Sequence, residues 1–324
     1  MTEYSEDPDL AGNRGFQSLR EGFYKAVFFT FAAATVLTTI AIILTLLVDA
    51  VAFFQSYSPI AFLTGTNWSP SLRPVTFGVL PLVFGTLVVT AIAAFIAIPI
   101  GTLTAVYLSE YATARTRSVL KPLLEILAGV PTVIYGFFAL VYITPAIGAL
   151  FPSVSTFNVL SASLMVGIMT VPMVSSISED AMSAVPDSLR QAGYGMGATK
   201  YEVTTDIIVP AATSGIVSSY ILAISRAIGE TMIVTVAMGM QSALPTVRSA
   251  EFFGVGIPFV HPGEVFLGSG QTMTAAMVQI ANSDIAGGTL AYKSLFAIGL
   301  TLFAITLLMN IVSNVISERY REEY

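Results

Sequence analysis

Between Glu125 and Glu179 the chain runs for 53 residues without an aspartate, glutamate, lysine or arginine. A helix on the surface of a soluble domain needs a polar face, and this stretch has nothing charged to supply one. It is also too long for one crossing of a bilayer, whose hydrocarbon core takes roughly 20 helical residues. Phe151-Pro152-Ser153-Val154-Ser155 supplies a turn that divides it, which predicts spans over 126–150 and 157–178. Charges fence the remaining spans in the same way. Ala26 to Val48 is a 23-residue uncharged run closed by Lys25 and Asp49. Residues 79–108 lie in the uncharged interval between Arg73 and Glu110, 207–239 is interrupted only by Arg226 and Glu230, and 294–317 completes the set. The expected fold is all-α: a polytopic membrane domain over 26–317 with six transmembrane helices.

Composition closes off the alternatives. Charged residues make up 10% of the 324 positions, against about 25% in soluble domains. A soluble enzyme is excluded. Cysteine is absent and His261 is the single histidine, so a disulfide framework, an iron–sulfur cluster and a Cys/His zinc site are excluded too. No metal site and no cofactor are expected. The net charge of −6 argues against a nucleic-acid partner, because phosphates require a basic face.

Orientation follows from lysine and arginine, which concentrate in cytoplasmic loops. With the N-terminus inside, Arg14, Arg20, Lys25, Arg115, Arg117, Lys121, Arg190, Lys200, Arg319 and Arg321 are cytoplasmic. Only Arg73, Arg248 and Lys293 then fall outside. Both termini are expected in the cytoplasm, as an acidic tail over 1–25 and a short tail over 318–324. Membrane lipid is the expected surrounding.

The loop between the fourth and fifth spans, residues 179–206, is expected to be cytoplasmic. Pro186 suits a helix start, after which Leu189, Ala192, Gly193 and Met196 share one helical face. Gly197 can end that helix in a left-handed conformation. A short amphipathic helix outside the membrane suits docking into a partner's groove. The glycines before Lys200 fit neither G-x-x-x-x-G-K-[ST] nor G-x-G-x-x-G, so no nucleotide site is expected here.

Spacing in this loop resembles the "EAA" loop of ABC importer permeases: E-A-A, three residues, G, nine residues, then I-x-L-P. Here the chain reads Gln191-Ala192-Gly193, three residues, Gly197, nine residues, then Ile207-Ile208-Val209-Pro210. The departures are Gln for Glu, Gly for the second Ala and Val for Leu. The resemblance implies that Gln191, Ala192, Gly193 and Gly197 dock an ATPase and transmit force.

Arg226 and Glu230 stand four residues apart inside the fifth span, a spacing that places them on one face of an unbroken helix. An intramembrane arginine costs about 2.5–3.5 kcal/mol on insertion scales, so such a pair is expected to face protein or water. A mutually neutralising packing pair is the other reading. The segment Arg226-Ala-Ile-Gly-Glu230-Thr231-Met232 resembles the R-A-x-G-E-T-M stretch of phosphate-specific ABC permeases of the PstC type. The resemblance implies a substrate pathway through Arg226, Glu230 and Thr231. A guanidinium offers paired donors to an oxyanion. Glu230 could accept a bond from a protonated phosphate oxygen, which sulfate lacks.

Two further stretches are similar to the same family. They are Phe62-Leu63-Thr64-Gly65 with Asn67-Trp68-Ser69-Pro70 and Phe77-Gly78-Val79-Leu80-Pro81, and Leu127-Ala128-Gly129-Val130-Pro131-Thr132. Trp68 taken alone would be an interfacial anchor. The outer loop, 240–293, carries phenylalanines between glycines and prolines, with a short helix expected near Met273–Ala281. It is read as a contact surface, a lid or a structural cap, with His261 a surface residue. The resemblance implies a type I ABC importer permease in a prokaryotic plasma membrane, without ATPase activity of its own. Its implied partners are a second permease of the PstA type, a pair of PstB-type ATPases and an external PstS-type phosphate-binding protein. A permease for another oxyanion, or a secondary transporter or channel, remains the alternative.

Overall fold

The computed structural model describes residues 14–71, 74–252 and 255–319. The first 13 residues, the last five, 72–73 (with Arg73) and 253–254 (with Phe253) lie outside that set. Two units are distinguished by packing, 1–49 and 50–324. The first is carried by helix α1 (Arg14–Phe54), which begins inside the expected tail. Phe28, Phe29, Phe31, Leu37 and Leu44 on it are all exposed. A helix with that surface is stable in hydrocarbon or against another protein, not in water.

The second unit is a helical bundle. Its long elements are α2 (Leu80–Val106), α3 (Ala114–Gly129), α4 (Thr132–Phe138), α5 (Thr144–Leu150) and α6 (Val159–Ser183). They are followed by α7 (Asp187–Gly195), α8 (Thr213–Ile228), α9 (Met232–Ala237), α10 (Met273–Ala281) and α11 (Leu290–Arg319). Among the described residues, five helical stretches are long and apolar enough to cross a bilayer, and a bent pair makes a sixth.

Three spans differ from the sequence expectation. The third does not start at 126: Gly129-Val130-Pro131 breaks the chain, and only Thr132–Leu150 forms a span-length helix. Val130 is extended, as a residue before proline prefers to be. The fifth is bent by 69° at Ala212, between Lys200–Ala211 and Thr213–Ile228, two residues after Pro210, whose missing N–H loosens the turn. It breaks again at Gly229–Thr231 and ends at Ala237 rather than at 239. The second continues through a π turn, Tyr107–Tyr111.

Small side chains let α2 and α6 approach over most of their length. A methyl added at Gly101 would fall 2.6 Å from Val174 Cβ, and Ala93 and Ala97 on the same helix are fully buried. Helices in lipid gain from such backbone proximity through dispersion, because burial away from lipid adds nothing. Hydroxyls supplement it: Ser178 bonds Ser219 and Thr102 bonds Tyr220, each at 2.8 Å, tying α6 and α2 to α8.

The end of the bundle that carries residues 50–80 holds an aromatic cluster. Phe53, Phe62, Trp68 and Phe77 pack with Met273, Ile280 and Ile298 from α10 and α11. Strand β1 (Trp68–Ser69) pairs antiparallel with β2 (Thr76–Phe77), which sets Trp68 against Phe77. Trp68 is 7% exposed. It is therefore a core residue rather than an interfacial anchor, because the hairpin turns it into this cluster. Within 240–293 the backbone forms the antiparallel hairpin β3 (Val247–Phe252) and β4 (Val255–Val260), then a short helix Pro262–Phe266. The helix expected near Met273–Ala281 is α10, buried through Met273, Ala276 and Ile280. His261 is exposed, and its Nδ1 accepts from the Gly263 amide at 3.1 Å.

Candidate functional site

Gly229, Glu230 and Thr231 interrupt what hydropathy alone presents as one span. Glycine closes α8, and the chain restarts as α9 after Thr231. A helix start leaves its first amides without intrahelical partners. Glu230 supplies them: its Oε1 accepts from Met232 N at 3.1 Å and Ile233 N at 3.2 Å. The backbone carbonyl of Glu230 accepts from Thr274 Oγ1 of α10 at 2.7 Å. Both Glu230 and Thr274 are buried, so the break is held by hydrogen bonds from both sides.

This corrects the expectation that Arg226 and Glu230 share one helix face as a pair. Among the described residues no carboxylate forms an ion pair with Arg226; its Nη2 lies 3.7 Å from Met169 Sδ, and the side chain is exposed. The reason is electrostatic. The break creates two helix ends, and each favours one of the charges. Arg226 sits in the last turn of α8, where carbonyl dipoles stabilise a cation, and Glu230 sits at the amides of α9. Thr231 is half-buried, and its Oγ1 donates to Gly229 O at 3.1 Å.

Around the break the packing is close. A methyl on Gly136 of α4 would meet Val236 Cβ at 2.9 Å, so α4 lies directly against α9. Thr235 continues the polar face of α9 from Thr231, whose carbonyl it bonds at 2.6 Å. Thr235 also lines a cavity of about 470 Å³ with Ser155, Thr156, Phe157, Gln241 and Ser269.

The expected docking segment forms α7, with Pro186 at its N-cap position. The helix ends in a Schellman arrangement: Ala198 N donates to Gly193 O at 3.1 Å and Gly197 N to Tyr194 O at 3.0 Å. Gly197 has φ +86, where side chains are disfavoured. Gln191, Ala192, Tyr194, Met196 and Gly197 are exposed, whereas Gly193 is buried. Ala192 and Met196 thus do not join the buried face with Leu189 and Gly193. Met196 lies past the last helical residue, where the chain reverses. A methyl on Gly193 would fall 2.7 Å from Ile207 Cδ1 and 2.9 Å from Val203 Cγ2, which accounts for glycine at that position. Thr199 and Glu202 then form a capping box, and the bonds that the Glu202 carboxylate accepts from the Thr199 amide and hydroxyl hold it below its usual range.

Sequence reasoning missed a set of charge contacts at this end. Glu179, fully buried near the end of α6, is held by Arg117 and by Lys121 Nζ (2.7 Å), both on α3. Lys121 also reaches Asp180 at 3.0 Å. The signal was present, since Arg117 and Lys121 are four apart on an amphipathic helix, but their partner lies 58 residues or more away in sequence.

Apolar helices with internal breaks, and a short helix outside them, define a multi-pass helical membrane protein. The model of the binding-protein-dependent transport system inner membrane component family matches residues 97–322. The chain belongs to that family. It is 29% identical over 326 residues to the phosphate transport system permease protein PstC of Haemophilus influenzae, covering 94% of this chain and 96% of that one. It is 37% identical over 188 residues to the probable ABC transporter permease protein YqgH of Bacillus subtilis, covering 58% of this chain; the match spans 61% of that protein's length. A chain from the crystal structure of a bacterial ABC transporter involved in alginate import superposes with a TM-score of 0.62 at 10% identity. That match covers 94% of this chain and 100% of the other, and the two share a fold.

Proposed function

We propose that this chain is one of two permease subunits of an ATP-driven importer for inorganic phosphate, and that Arg226, Glu230 and Thr231 line the route. The observation that carries this reading is Arg226, an exposed arginine that has no carboxylate partner among the described residues and sits at a break where the one other charge, Glu230, is turned to backbone amides. A cation left unpaired there is costly unless an anion is bound part of the time. A guanidinium offers paired N–H donors matched to phosphate oxygens. Glu230 commits Oε1 to two amides. Its other oxygen is the proposed acceptor for a protonated phosphate oxygen, a contact that sulfate would meet as repulsion. The similarity to proteins named as phosphate permeases supports the same substrate.

In this reading α7 faces the cytoplasm, as do both termini, and docks a separate ATPase through Gln191, Ala192 and Gly197. Gly193 acts from beneath by letting α7 lie against Val203 and Ile207. A second permease completes the pathway, and an external binding protein delivers phosphate. The chain itself hydrolyses no ATP. The test is phosphate uptake into proteoliposomes holding this chain with its partner permease, ATPase and binding protein, with sulfate as competitor. ATP-dependent uptake that sulfate leaves unchanged, and that Arg226→Gln abolishes in an assembled complex, is expected. Equal competition by sulfate would reassign the substrate to oxyanions in general.

A further inference from the structure

The π turn that ends α2 is gripped at two successive residues by the segment carrying α7. Arg190, on α7, places Nη2 3.1 Å from Glu110 Oε1, and Ser109 Oγ bonds the same oxygen at 2.8 Å. The same guanidinium donates to Met182 O at 2.8 Å and Val185 O at 2.5 Å, the carbonyls at and just beyond the end of α6. Arg190 and Glu110 side chains are 16% and 6% exposed. On the far side of Gly197, Lys200 Nζ sits 5.0 Å above the ring of Tyr111. One short helix is thus joined to the ends of α2 and α6 by a single planar fork, with a cation–π contact beyond it.

We propose that Arg190 is the positioning residue through which movement of α7 enters the membrane bundle, with Glu110 as its anchor in the π turn. The inference rests on the reading of α7 as an ATPase-docking helix. Hydrophobic packing of α7 is slight: its nine residues bury Gly193 and partly bury Leu189. A push on α7 would therefore slide it over Val203 and Ile207 unless a directional contact held it. The fork provides direction in two axes, toward Glu110 and toward the α6 carbonyls. A π turn carries an extra residue in its hydrogen-bonded ring and is a common site of helix adjustment. Force applied at Glu110 meets α2 where it can yield, and α2 and α6 share the longest contact in the bundle.

The experiment compares wild type, Arg190→Gln and Glu110→Gln in the reconstituted complex, measuring phosphate uptake and ATP hydrolysis together. A second readout is the distance distribution between spin labels at Leu103→Cys and Ser188→Cys, which the absence of native cysteine makes selective. Arg190→Gln is expected to lower phosphate moved per ATP hydrolysed at least fivefold, with the ATPase still bound and the label distribution broadened. Glu110→Gln keeps the two carbonyl bonds and is expected to shift both readouts the same way by less. If Arg190→Gln fails to assemble, Glu110→Gln decides alone. An unchanged ratio, or equal falls in uptake and hydrolysis with the ATPase still bound, overturns the proposal. If wild type moves no phosphate, the transport reading fails. The label distances then decide the tether separately.

Discussion

The two places where this chain gathers charge are built on opposite rules. At the α7 end, carboxylates are buried and answered: Glu179 by Arg117 and Lys121, Glu110 by Arg190. At the break between α8 and α9, Arg226 and Glu230 stand four residues apart and are not paired with each other. Paired charges fix elements against one another at the cost of desolvation, and a cation left to a helix end remains open to a ligand. On the proposed function, charge serves attachment in one region and recognition in the other. Substituting the two sets should therefore give opposite signatures.

The largest effect is expected at Glu179. Glu179→Ala strands Arg117 against α6 and leaves Lys121 only its exposed partner Asp180. Removing one partner of a buried pair costs about 3–5 kcal/mol, and the value here should lie near the lower bound because both cations are about one-third exposed. Thermal unfolding of the purified complex in detergent would show it. Transport per folded complex should stay near wild type. A stable Glu179→Ala complex with lost transport would erase the contrast between the two regions.

Arg226→Gln should do the reverse. Loss of a charge-assisted bond to the substrate is worth up to about 3 kcal/mol, or roughly 100-fold in transport efficiency. No carboxylate is stranded by the change, so the melting temperature should hold. A melting temperature that falls as far as for Glu179→Ala would mean that Arg226 is a structural residue.

A smaller change sharpens the account of the break itself. Thr274→Val removes the donor to the Glu230 carbonyl and should cost about 1 kcal/mol, near the usual worth of a hydrogen bond between membrane helices. Denaturation in mixed micelles would measure it. Phosphate uptake should fall modestly, because Glu230 still caps α9. An effect as large as that of Arg226→Gln would show that α10 positions the substrate route directly.

Much of this division was legible in the sequence. Uncharged runs fenced by charge located the spans, because hydropathy is a sum over about 20 residues and tolerates local irregularity. Register-level detail was not. A spacing of four implies a helical pair only if the helix continues, and in Gly229-Glu230-Thr231 the glycine end and the carboxylate cap outweigh continuation. The span expected from 126 failed for a related reason, since Gly129-Val130-Pro131 reads as apolar as its neighbours. Trp68 looked interfacial until the pairing of β1 with β2 turned it inward. The pairs of Glu179 with Arg117 and Lys121, and of Glu110 with Arg190, join residues 58 to 80 apart, and no local pattern marks them; the pair of Arg190 with Asp187, three residues away, was within reach of one. In the loop over 179–206 the family spacing located α7 and Gly197, but left open which residues are exposed.

The smallest predicted effect concerns the turn that follows α7. Glu202 accepts from the Thr199 amide at 2.7 Å and from its hydroxyl at 2.8 Å. Both bonds favour the carboxylate, so the folded-state pKa lies below that of the unfolded chain. A depressed pKa contributes stability above the unfolded value, about 4.3 for glutamate, and loses it as pH falls through the folded value. Amide exchange at Thr199–Val203 should therefore be slow near neutrality and accelerate below about pH 4, beyond the intrinsic pH trend. Glutamine also completes a capping box but does not titrate. Glu202→Gln should keep the protection and flatten its pH dependence. A profile unchanged by that substitution would mean that acid loosens this turn by a route other than its cap. The comparison would then shift, because Lys200 holds Tyr111 from this same turn, and loss of the cap would reach the bundle through that contact rather than through Arg190.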